Sequence, residues 1–171
     1  MGTHAGASGV RELVETLRCQ ADLCRRLLAL LGAEREAILS ARGVRMREII
    51  QAKEALLEEA RRLEARRVAA LERLAAPAGS PPGEVTLRGL ARALGSAAGA
   101  PLERARRELE GLLARLRDEH RRNAALCRQG LALAREAHRL LKEAALGDAV
   151  YLPSGRLEEA RLRGRLVSGA G

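Results

Sequence analysis

Residues 10–39 read VRELVETLRCQADLCRRLLALLGAEREAIL. The apolar positions are Val10, Val14, Leu17, Ala21, Cys24, Leu28, Leu31 and, after polar Arg35, Ile38. The steps alternate four and three, the spacing that keeps one seam of an α-helix facing a partner helix. A partner with the same pattern follows at once. Beyond Ser40-Ala41-Arg42-Gly43 the series resumes as Met46, Ile49, Lys53, Leu56, Ala60, Leu63, Arg67, Ala70 and Leu74. Gly43 suits the left-handed position that ends a helix. Two helices, about 10–41 and 44–76, are therefore expected to form either an antiparallel hairpin or one kinked rod. The hairpin is favoured because it buries both seams within one chain.

Pro77-Ala78-Gly79-Ser80-Pro81-Pro82-Gly83 breaks the helical pattern. Thr86 is placed to cap a short helix over 86–94, and Gly95 to Ala100 read as a second loop. Pro101 fits the first position of a third long helix, over 101–146, with Glu103 in the first turn where an acid favours the helix dipole. The first nine residues read as a frayed tail, and 147–171 as a C-terminal segment that is partly disordered. The fold class is all-α: a helical hairpin plus a third long helix in an elongated, coiled-coil-like bundle over 10–146.

Composition agrees with this. Hydrophobic residues make up 47% of the 171, yet aromatics only 1%, with Tyr151 alone. Such a core must be built from Leu and Ala between closely packed helices rather than from rings. The formal charge is +9. The three helical stretches carry +1, +2 and +4, with acids interleaved throughout, whereas a nucleic-acid binder concentrates its charge in a patch or stripe. Nucleic acid is not the expected partner. Cys19, Cys24 and Cys127 form no C-x-x-C pair and read as reduced cysteines. Residues 1–9 lack the basic start and apolar stretch of a signal peptide, and no apolar run approaches a membrane span. A cytoplasmic location without membrane contact is expected.

Nothing in the sequence assembles a catalytic or metal site. His120 and His138 are eighteen residues apart on one helix, about 27 Å along its axis. The Gly-rich loops lack the Lys-Ser/Thr ending of a phosphate loop. Carboxylate pairs such as Glu58-Glu59 lie among arginines, as solvated ion pairs do. No cofactor, metal or enzymatic activity is expected.

The third helix is where binding is expected. Its seam runs Leu109, Leu112, Leu116, His120, Asn123, Cys127, Gly130, Ala134, Ala137, Leu141 and Ala144. A second series, Leu126, Leu133 and Leu140, runs beside it at sevenfold spacing. Two stripes make a face wider than one seam requires, so the surplus is available to a partner. Asn123 either fixes register or meets a partner's polar group, or else turns outward at the edge of the stripe. Tyr151 either anchors a partner or pins the C-terminal segment.

Several strings, in order, resemble the FlgN family of flagellar export chaperones. They are Glu34-Arg35-Glu36-Ala37-Ile38-Leu39 followed by Lys53-Glu54-Ala55-Leu56-Leu57, then Asn123-Ala124-Ala125-Leu126, and finally Tyr151-Leu152-Pro153-Ser154-Gly155. The resemblance spans roughly residues 10–155. It implies a cytoplasmic, non-catalytic chaperone that holds the C-terminal helical region of hook-associated junction proteins (FlgK and FlgL type). Such a chaperone prevents premature assembly and presents its substrate to the export apparatus. It also implies a C-terminal binding region, here Asn123, Leu126, Gly130, Leu133, Ala137, Leu140, Leu141, Tyr151 and Leu152. The alternatives are a coiled-coil adaptor unrelated to flagella and, behind it, an Arg-rich nucleic-acid binder.

Overall fold

The computed structural model describes residues 2–75 and 86–146. It contains helices α1 (Gly2–Leu39), α2 (Gly43–Ala75), α3 (Leu87–Ala93) and α4 (Gly95–Leu146). There is no strand among the described residues. The protein is all-α, as its periodicity requires. The chain divides into two compact units, Met1–Leu126 and Cys127–Gly171. Tyr151, Leu152 and the C-terminal segment lie outside the described residues.

Within the first unit, α1 and α2 form the antiparallel hairpin. Arg73 pairs with Glu12, Gln20 with Glu64, Arg26 with Glu59 and Lys53 with Glu34, so the residue numbers rise on one helix as they fall on the other. α4 runs parallel to α1: Arg25 meets Glu108, and Arg35 meets Glu119. α1 is thus the shared central helix of the unit.

The turn between α1 and α2 departs from the sequence reading. The left-handed residue is Ala41, with φ of 52°, and Gly43 opens α2 instead. The N–H of Arg42 donates to the Ala37 carbonyl (3.1 Å), and that of Ala41 to the Ile38 carbonyl (3.3 Å). These two bonds are a Schellman closure, which fixes the left-handed residue by its place in the ring rather than by its identity.

Both α1 and α4 begin earlier than their signals suggest. α1 starts at Gly2 rather than Val10, so 2–9 are not a tail separate from the helix. Gly9 lies so close to Leu74 that an added Cβ would stand 2.8 Å from its Cδ2, and this contact ties the first turns of α1 to the end of α2. α4 starts at Gly95 rather than Pro101, which therefore lies inside the helix. Gly99 permits the close approach of this extension to α3. A Cβ there would stand 2.0 Å from the Ala91 carbonyl oxygen, so only glycine lets the early turns of α4 cross α3 so closely. α3 matches its sequence signal, with the Gly89 N–H donating to Thr86 Oγ1 at 3.0 Å.

The core changes character along the unit. At its base Val10, Leu13, Leu17, Ala70, Ala91 and Leu102 come together from all four helices. Farther along it divides in two. Ala21, Cys24 and Leu112 join α1 to α4, while Leu23, Leu56 and Leu63 join α1 to α2.

Candidate partner-binding surface

The residues singled out on α4 fall into two environments. Asn123 is 2% exposed. Its Nδ2 donates to the Leu31 carbonyl (2.7 Å) and to Glu34 Oε2 (2.8 Å), and its Oδ1 accepts from Arg35 Nε (3.3 Å). Arg35 also binds Glu119, and Lys53 Nζ donates to Glu34 Oε1 at 2.5 Å. One polar node therefore ties all three long helices together. The Asn123 amide is thus engaged by groups inside the unit. Burial pushes the Glu34 carboxyl up, but hydrogen bonds from Lys53 and Asn123 and the charges of Lys53 and His120 outweigh it. The net effect holds Glu34 below the usual carboxylate range.

Sequence reading missed Glu34, Arg35, Lys53 and Glu119 as members of this node, yet a signal for it was present. Arg35 interrupts the apolar seam of α1, Lys53 that of α2 and Asn123 that of α4. Three polar breaks in three separate seams meet at one place in space.

From Cys127 onward the environment is different. Every residue from 127 to 144 is exposed, and Leu126 just before them is half-buried. Leu133 is 72% exposed and Leu141 70%, with Leu131 and Leu140 about half exposed. At 100° per residue, Gly130, Leu133, Ala137, Leu140 and Leu141 occupy about a 100° arc of the helix, with Leu126 on the same line. The structure thus gathers Gly130, Leu133, Ala137, Leu140 and Leu141 into one exposed apolar face. The predicted residues Tyr151 and Leu152 lie outside the described residues.

Beside the pairs between helices, much of the charged surface is made of local pairs. Arg45 binds Glu48, Arg61 binds Glu58, Arg106 binds Glu103, and Arg139 binds both Glu136 and Glu143. Hydrogen bonds from Arg106 and Arg107 bring Glu103 down to about 2. At spacings of three and four along one helix these are mostly solvated pairs, Arg106 and Glu103 being partly buried. Cys19, Cys24 and Cys127 are free thiols, and burial pushes that of Cys24 up. Among the described residues no cluster of His, Cys, Asp or Glu is arranged to hold a metal, and no helix is long and apolar enough to cross a membrane.

The family model described as FlgN protein matches residues 1–159. No curated protein and no solved structure matches the chain.

Proposed function

Because the chain belongs to the FlgN family of flagellar export chaperones, we propose that it binds the C-terminal helical region of a hook-associated junction protein of the FlgK or FlgL type. It does so in the cytoplasm and without catalysis. The observation that carries this reading is the exposed apolar face of Gly130, Leu133, Ala137, Leu140 and Leu141. An amphipathic helix of the junction protein lies along that face in the helix-in-groove mode, with its own apolar positions at spacings of three and four. Binding covers the segment that would otherwise pair with neighbouring subunits, which prevents premature assembly and leaves the complex ready for the export apparatus. Tyr151 and Leu152 extend the same contact. Asn123 serves it indirectly by fixing the register of α4 within the first unit.

The test is co-purification with the junction protein. Leu133→Asp combined with Leu140→Asp is expected to reduce affinity at least a hundredfold, about 2.7 kcal/mol. The helical circular dichroism should remain, because neither side chain is buried. Normal binding by this variant would remove the α4 face from consideration.

A further inference from the structure

α2 carries a second line of side chains on the side away from its buried seam. Ile49, Leu56 and Leu63 are buried in the unit. At 100° per residue Gly43, Arg47, Ile50, Glu54 and Leu57 share an arc of about 80° turned away from those three. All five are exposed, and the Ile50 and Leu57 side chains stand about half in water. Apolar and charged positions follow one another in steps of four and three, as in a seam that another helix covers.

The two charges in this line differ from the other charges of α2. Arg45 binds Glu48, Arg61 binds Glu58 and Arg67 binds Glu64, each pair three residues apart. At spacings of three and four Arg47 has Gly43, Val44, Ile50 and Gln51, while Glu54 has Ile50, Gln51, Leu57 and Glu58. Neither meets an opposite charge on its own helix. Seven residues, about 10 Å of rise, separate Arg47 from Glu54, too far for the two to pair with each other.

A two-fold axis resolves this. A second α2 laid antiparallel about an axis at Ile50 sets Arg47 against Glu54 of the second copy, and Glu54 against its Arg47. One line thus yields two ion pairs. Ile50 meets its own counterpart at the axis. Leu57 lies over Gly43 of the second copy, a position with open space where a Cβ would stand. A parallel pair in register would instead oppose like charges, and one shifted by seven residues would form a single pair and leave a contact that does not close.

We propose that this line is a homodimer contact, α2 against α2 of a second copy. The inference goes beyond the proposed function and does not rest on it, since none of these residues belongs to the α4 face. The line runs for only about 21 Å of helix. Such a contact is small beside the roughly 800 Å² per partner of a stable interface, so association is expected to be weak and concentration-dependent.

Sedimentation velocity of the full-length chain over about a hundredfold in concentration tests this. The wild type should pass from monomer to dimer within that range. Glu54→Arg and Arg47→Glu each set like charges across the axis and should weaken association at least tenfold. The two substitutions together rebuild the complementary line and should restore it, as should an equimolar mixture of the two single variants, a rescue that misfolding cannot produce. Ile50→Asp should remain monomeric with its thermal midpoint kept. A wild-type chain that is monomeric at every concentration overturns the proposal, and so does a double variant that fails to associate. A wild-type monomer whose binding to the junction protein is weakened by Ile50→Asp overturns it too, because the occupant is then the exported protein.

Discussion

The two units of this chain are written in the same alphabet and behave differently. Both draw on helices of Leu, Ala, Arg and Glu with apolar residues at heptad spacing. In the first unit the pattern becomes a core: Leu13, Leu17 and Leu102 are fully buried among residues from all four helices. In the second, the described residues 127–144 carry Leu131, Leu133, Leu140 and Leu141 without burying any of them. A heptad stripe states that a helix face needs cover. It does not state who supplies it. The first unit supplies its own, and the second presents a face suited to a binding protein.

This contrast predicts a stability map with a sharp boundary. The largest effect belongs to the base of the first unit. Leu17→Ala should cost about 3 kcal/mol through lost burial and a residual cavity, lowering the thermal midpoint by roughly 6–12 °C. Leu133→Ala, the same chemical change on the exposed face, should stay within about 0.5 kcal/mol. Thermal melts followed by circular dichroism compare the two, and equal losses would erase the distinction between the units.

The polar node comes next. Asn123→Ala removes three hydrogen bonds, two of them to charged groups, and should cost about 2 kcal/mol. Urea unfolding would measure it. A loss below about 0.5 kcal/mol would place Asn123 with the exposed positions that follow it. A smaller effect concerns pH. Glu34 is held below its ordinary value of 4.5 in the folded chain. Its contribution is therefore complete above that value and is lost as pH falls through the depressed folded one. Wild-type stability should decline more steeply on acidification than that of Glu34→Gln, in urea titrations taken from pH 6 down to about pH 3. Parallel curves would show that the Lys53 and Asn123 bonds do not favour the ionised carboxylate.

Much of the fold was legible because helical periodicity is a local property. The seams of α1 and α2 and the Thr86 cap each depend on residues a few positions apart, whereas the break at Pro77–Gly83 lies outside the described residues. What was misread depends on contacts between distant segments. Nothing near Gly95 in the chain reports that Gly99 will meet Ala91, so Pro101 looked like a helix start. Nothing near Gly9 reports Leu74. Ala41 in the left-handed position was hidden for a related reason, because the closing hydrogen bonds chose the residue by position and overrode the preference for glycine two places on.

The candidate site shows the same division. Leu133, Leu140 and Leu141 were legible as surplus apolar surface, since counting stripes against available seams needs only the sequence. The fate of Asn123 was not, because its environment is made by Leu31, Glu34 and Arg35, about ninety residues away. By itself the sequence determined that the chain is helical, where its helices lie apart from the first eight residues of α1 and the first six of α4, and that α4 has more apolar face than one seam uses. Backbone propensity and side-chain spacing act over a single turn, and they suffice for that. The tertiary structure alone decided that polar breaks in three seams close into one node and that the core divides around α1. Those outcomes depend on which helices come together, a choice made by packing over the whole unit.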